Sequence, residues 1–340
     1  KRINFFNGLG SYFDKTQRIK NLSSLISDEL MISKEKIEIA ASICKVDLKS
    51  DLVSEFPELQ GIMGGHLSHA QGFDKDIVDA IKEQYLPLGP DSVVSKKPYS
   101  ITLSLVDKID TLTGFYGLNE KPSSSKDPYA LRRVALGIIR IIIENKKDIK
   151  LGDLFLYSKN IYLDQDFKFL NDNLTKDISI FLKDRLKYYL KEKNIRYDII
   201  DATTKVLDLN RISTVYQKAV SLNKIINKKI GEDIVSSYKR AFNLLNSEIK
   251  NTDENLSNTT DPGLFKNDFE KKLYDKTHEL KHYLSGMTKN QSFDEILNLF
   301  ASTKNEVFDF FENVKVNDDS EDIRKNRLEL LNFFCKTYEI

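Results

Sequence analysis

Proline and glycine are spread so unevenly along the 340 residues that they constrain the fold before any motif is read. Six of the seven prolines (all but Pro262) and nine of the fourteen glycines fall at or before Pro128. Proline removes an amide donor and glycine is costly inside a helix, so the remainder is left to helix-permitting residues. The back half is expected to be almost entirely helical. Apolar residues recur at helical spacing over 19–30, 36–48, 77–85, 101–112, 131–144, 178–192, 216–226 and 234–249. Alternating runs with strand character are scarce and no internal repeat is found. The chain reads as all-α.

Turn-forming clusters at 119–125, 144–148 and especially the polar run 251–263 punctuate these helices. They divide the chain into a helical domain over 1–148, a helical connector over 149–227 and a helical bundle over 228–340 that contains the long polar loop. With 40% hydrophobic residues each part can bury a core. Lys+Arg 52 against Asp+Glu 51 nearly cancel, which excludes a histone-like binder and leaves nucleic-acid affinity to local patches. Cys44 and Cys335 lack metal-ligand spacing and suit a reducing cytoplasm as core thiols. No apolar stretch approaches the roughly 20 residues of a membrane span. The absence of an initial Met suggests part of something longer.

One local patch stands out. In Lys126-Asp127-Pro128-Tyr129-Ala130-Leu131-Arg132-Arg133, Asp127 is read as the cap and Pro128 as the first helical residue. Arg132, Arg133 and Arg140 are placed on the polar side of the helix that follows. From Lys126 to Asp148 there are six basic residues against three acids, a local balance that phosphate backbones select. The same residues also fit a solvated amphipathic helix.

Other chemistry is weaker. His278-Glu279-Leu280-Lys281-His282 matches H-E-x-x-H, which in a zinc peptidase sets two imidazoles on one helical face beside a glutamate that activates water. No third histidine follows at the required spacing. Glu295 or Glu306 would have to complete the site, and a chance match on a lysine-rich face is the better account. His66 and His69 would form an i, i+3 metal pair if helical, but the glycines before them favour a turn. Gly8-Leu9-Gly10 is a lone G-x-G, and no Walker lysine motif or nucleophile elbow occurs. No catalytic or metal residue is assigned in this chain.

Residues 54–64 (SEFPELQGIMG), 105–112 (LVDKIDTL) and 126–133, in that order, resemble the β subunit of bacterial tetrameric glycyl-tRNA synthetase. The resemblance continues through Tyr238-Lys239-Arg240-Ala241, Asp261-Pro262, 308–316 and Arg324-Lys325-Asn326-Arg327-Leu328. It covers essentially the whole chain, which looks like the C-terminal half of such a subunit.

The resemblance implies that this chain binds and that a separate α subunit, in an α2β2 assembly, attaches glycine to tRNA(Gly) using ATP and Mg. No cofactor in this chain, no membrane and no DNA are expected. The first domain would be HD-like with a degenerate metal site: the stretches matching the family's ligands read 13–18, 43–47 and 105–107, where only Asp107 remains. One carboxylate among lysines cannot hold a hard divalent ion. The C-terminal bundle resembles the DALR-like anticodon-binding domain of arginyl-tRNA synthetases. Lys126, Arg132, Arg133 and Arg140 are the candidates for the tRNA body or acceptor arm, and Arg324, Asn326 and Arg327 those for the anticodon. Of Phe308, Phe310, Phe311, Phe333, Phe334 and Tyr338, one or two are expected at the surface. In 54–64, Phe56 and Leu59 are expected to pack and Pro57 to open a helix; otherwise Glu55, Glu58 and Gln60 face a partner subunit or the tRNA acceptor end. The runner-up reading is a hydrolase, of HD or zinc type, and a third is a purely structural anchor for the α subunit.

Overall fold

The structure, a computed structural model, describes residues 3–205, 207–252, 256, 259–286 and 292–338, with side chains 250–252 left out. Among them run α1 (Tyr12–Ile26), α2 (Lys34–Ile43), α3 (Asp51–Glu55), α4 (Ile62–Ala70), α5 (Lys75–Glu83), α6 (Pro98–Gly117), α7 (Leu131–Glu144) and α8 (Leu151–Asp164). They continue with α9 (Leu174–Glu192), α10 (Tyr197–Thr204), α11 (Ile212–Ile225), α12 (Lys229–Thr252), α13 (Asp268–Ser285), α14 (Phe293–Ala301), α15 (Lys304–Asn313) and α16 (Glu321–Thr337). One short antiparallel hairpin, Asn4–Phe6 with Gly10–Ser11, precedes them. The protein is all-α, and each of the eight periodic stretches forms a helix.

Two compact units are formed, Lys1–Tyr216 and Gln217–Ile340. In the first, α6 is the spine, surrounded by α1, α2, α5, α7, α8 and α9. From Ser100 to Gly117 all of its residues but Thr111 are buried, including Asp107, Lys108 and Asp110. A helix buried on every side normally carries no charge, so these three need internal partners. The residues of α8 and α9 add to this same core: α8 lies on α1 and α6, α9 on α6 and α7. Gly117 lets the 167–170 segment dock, since its carbonyl accepts from Leu170 N at 2.8 Å and an added Cβ would fall inside the Phe169 ring. Gly117→Ala is therefore expected to cost about 1–3 kcal/mol, read as a lower urea midpoint; an unchanged midpoint would mean the segment is loosely held.

In the second unit α12, α13, α15 and α16 enclose Leu245, Leu273, Phe310, Leu331 and Phe334. A smaller core joins Leu280, Ile296, Leu297 and Phe300. Both cysteines are buried thiols, and burial pushes that of Cys44 up to about 12. Among the described residues no helix is long and apolar enough to cross a membrane.

Four local expectations are corrected. Residues 62–70 are helix α4, because Gly61 takes the left-handed turn at φ 81° and frees the glycines after it for helix. Phe56 is exposed, not packed, and Pro57 opens only a 3-10 turn. Helix α7 begins at Leu131, not at Pro128, because Ala130 is left-handed at φ 53°. Helix α12 runs to Thr252, into the expected polar loop, of which 253–255 and 257–258 lie outside the described residues.

Candidate nucleic-acid interface

The three stretches matched to metal positions converge, but around ammonium groups. Lys15 Nζ lies 3.1 Å from Asp107 Oδ1, and Lys45 Nζ lies 3.2 Å from Asp107 Oδ2. Lys15 also reaches Asp110 Oδ2 at 2.8 Å, whose other oxygen takes Arg18 Nε at 2.7 Å. Arg18 lies 4.0 Å over the Tyr162 ring, and Lys45 donates to Tyr85 OH at 2.9 Å. All five charged groups are buried. Burial alone would raise the Asp107 carboxyl, but Lys15, Lys45 and Lys108 outweigh it and hold it well below the usual carboxylate range. A divalent ion does not fit here, since both Asp107 oxygens face a cation already.

Beside this cluster opens a cleft of about 550 Å³. It is lined by Pro57, Glu58, Gln60 and Ile62 from the first resemblance stretch, Asp107, Lys108 and Thr111 from the second, and Arg133 from the third. Residues 82–88 close the remaining wall. Three motifs distant in sequence thus meet at one opening. Asp47 builds the first of them: its Oδ2 accepts from Gly61 N at 2.6 Å and Gly64 N at 3.1 Å. Lys108 donates to Ser104 Oγ at 2.7 Å, Leu86 O at 3.0 Å and Tyr85 O at 3.3 Å, with no carboxylate partner among the described residues. Burial pushes the Lys108 ammonium down to about 7, and the crowding of Lys45 and Lys15 opposes the help of Asp107.

The predicted basic residues divide. Lys126 and Arg133 are exposed and make no ion pair with the described residues. Arg132 is half-buried and hydrogen-bonds Ser123 O. Two amides of the first turn of α7 are already taken, because Asp127 accepts from Leu131 N at 2.8 Å and Arg132 N at 3.0 Å. Arg140 is corrected from the polar face to the interior: it is buried, with Nε 2.7 Å from Glu144 Oε1 and one terminal nitrogen 2.7 Å from Gly89 O.

In the second unit the expected anticodon contacts fasten the fold instead. Asn326 accepts from Asp261 N at 2.7 Å and donates to Asp261 O at 2.9 Å, using both ends of its amide. Arg327 is buried, bonded to Glu270 Oε1 at 2.6 Å, Asp318 Oδ2 at 2.7 Å and Lys315 O at 2.8 Å. Both side chains are buried, so what remains of their donors is turned away from a base edge. Arg324 is half-buried and pairs with Glu248 at 3.4 Å. What the surface does present is Phe308, 54% exposed, one turn from Phe311 and Glu312 on α15. Arg240 lies 4.7 Å over the Phe311 ring and 3.0 Å from Glu312 Oε1. Phe242 and Tyr283 are the unit's other exposed large aromatics among the described residues, at 40% and 38%. Phe308 was among the aromatic candidates, whereas Arg240 carried no site signal, since its distance from α15 in sequence hides the pairing.

The H-E-x-x-H residues lie on α13, with His278 packed 4.4 Å from Tyr274 and 4.9 Å from Phe333 between ring centroids. Glu279 pairs with Lys276 at 3.0 Å. His66 and His69 are exposed on α4. Among the described residues no group of three His, Cys, Asp or Glu is placed to hold a metal.

Fold and site together define an all-α binding protein, with a cationic cleft in one unit and an aromatic platform in the other. Residues 234–339 match the DALR anticodon binding domain and residues 1–205 the glycyl-tRNA synthetase beta subunit. The chain belongs to the glycyl-tRNA synthetase beta subunit family. It is 34% identical over 334 residues to a glycine-tRNA ligase beta subunit of Cereibacter sphaeroides, covering 97% of this chain and 48% of the relative. To that of Rickettsia canadensis it is 36% identical over 339 residues, covering 99% and 48%. The chain thus spans about half the length of the curated relatives it matches.

Proposed function

We propose that this chain is the tRNA-holding part of a cytoplasmic glycine-tRNA ligase, acting with an α subunit that carries out the ATP- and Mg-dependent attachment of glycine in an α2β2 assembly. The second unit receives the anticodon and the first contacts the tRNA body or acceptor arm. The observation that carries this reading is the exposed Phe308, one helical turn from Phe311, whose ring lies under Arg240, on the unit that matches an anticodon-binding domain. An unstacked base gains from a π-face and a guanidinium plane together. Lys126 and Arg133 supply phosphate contacts from the first unit.

The test is a titration against tRNA(Gly) and an anticodon-altered variant at two salt concentrations. Phe308→Ala is expected to weaken binding by about 1–3 kcal/mol, with the loss persisting at the higher salt. Lys126→Ala should weaken all tRNAs alike and lower the log–log salt slope by about 1. Unchanged affinity in both variants would sink the assignment, and no binding by the wild type would shift the weight to subunit assembly.

A further inference from the structure

The cleft beside the buried ion cluster has cations that no ion pair among the described residues resolves. Of its acids, Asp107 is matched by Lys45 and by Lys15, which also serves Asp110; Glu83 shares Lys97 with Asp79 at 2.6 and 3.0 Å; and Glu58 is exposed. Of its cations, Lys82, Lys108 and Arg133 all lack a carboxylate partner among the described residues. Lys108 is the informative one. It is buried and its three hydrogen bonds go to neutral acceptors, while Asp107, which acts on it only through space, is already in contact with Lys15 and Lys45. Its place is built for it: a Cβ on Gly137 of α7 would come within 2.7 Å of Lys108 Cε, so glycine there makes room for the stem. Beside Gln60, Tyr85 and Thr111 the rest of the cleft is apolar, with Ile62, Leu86, Pro87, Leu88 and Val134 around a space far larger than one phosphate.

We propose that this cleft binds one nucleotide unit, its phosphate over Lys108 and Arg133 and its nucleoside against Leu86, Pro87 and Leu88. The ligand supplies the anion that Lys108 lacks. Its bond to Tyr85 O, at 3.3 Å the longest of three, is the one a phosphate oxygen replaces. Charge-assisted bonds from an ammonium and a guanidinium are the strong kind, and an apolar pocket of this size buries most of a nucleoside. The proposal rests on the reading that the first unit handles RNA, and it deepens that reading by naming a site for a single nucleotide. The nucleotide is either free or part of an RNA strand.

The experiment is calorimetric titration of the whole chain with AMP, adenosine and inorganic phosphate, and then of AMP into a tRNA-saturated sample. One-site AMP binding, with adenosine and phosphate each at least about tenfold weaker, is expected, because both halves of the ligand are contacted. Lys108→Met and Arg133→Ala should each weaken AMP about tenfold or more while leaving adenosine unchanged. Arg133 is exposed, so that variant keeps the fold even if Lys108→Met does not. Gly137→Ala should weaken AMP in the same direction, with circular dichroism unchanged. Absent AMP binding, phosphate binding as well as AMP, or full AMP affinity in Arg133→Ala would each overturn the proposal. Competition between AMP and tRNA would assign the site to a nucleotide of the RNA, and independent binding to a free nucleotide; both support the shared chemistry. If AMP binds and tRNA does not, the RNA reading fails and the cleft stands. If tRNA binds and AMP does not, the cleft alone fails.

Discussion

Arg327→Ala is expected to destabilise the C-terminal unit by about 3–5 kcal/mol. Glu270 is fully buried, and its Oε2 already accepts from Lys266 N at 2.7 Å and Asn267 N at 3.0 Å as the cap of α13. Its Oε1 depends on Arg327, so removing the guanidinium leaves a charged oxygen in the core without a partner. Urea unfolding followed by circular dichroism reads the loss. Replacing both partners, with Arg327→Met and Glu270→Leu, should recover a large part of it, because apolar pairs of similar volume tolerate burial that a lone charge does not. A single-variant loss below about 1 kcal/mol would mean that water reaches the pair and that Arg327 is available for another role.

Asp110→Ala should have an effect of the same order on the first unit, about 3–5 kcal/mol. It removes the carboxylate that holds buried Arg18 and one of the two that hold buried Lys15, leaving Lys15 only Asp107. The neighbouring Asp107 adds a pH signature. Its folded carboxyl titrates below its unfolded value, so its contribution is fully present above about pH 4 and is lost as pH falls further. Acid unfolding of the wild type should therefore steepen below that pH, and Asp107→Asn should flatten the profile while lowering stability at pH 7. An acid profile identical in the two proteins would place the ion cluster in contact with solvent.

How much of this was legible depends on whether the signal was local. Helix α7 ends where its apolar period ends, and Phe308 is the exposed aromatic that a surface of one or two anticipated. Helix α8 carries the same local signal, since Leu151, Leu154, Phe155, Ser158 and Tyr162 face the core at helical spacing. The start of α7 was misplaced because Asp127 caps from four residues away, across a left-handed Ala130, and not from the adjacent position. For Phe56 the sequence offers an aromatic flanked by acids, and whether it packs depends on the turn that Asp47 imposes from elsewhere in the chain.

The sequence by itself determined the fold class, the positions of the amphipathic helices, the burial of both thiols and the family, because composition, periodicity and motif order are properties of neighbouring residues. Only the tertiary structure decided which charges are spent and which are free. Arg140 and Arg327 are charged in sequence just as Lys126 and Arg133 are, yet besides the nearby Glu144 and Asp318 the distant Gly89 and Glu270 fasten them, as Asp261 fastens the amide of Asn326. These distant partners lie 51, 57 and 65 positions away. A charge is free or fastened according to the desolvation it meets and the partner it finds, and both are set by packing between distant segments.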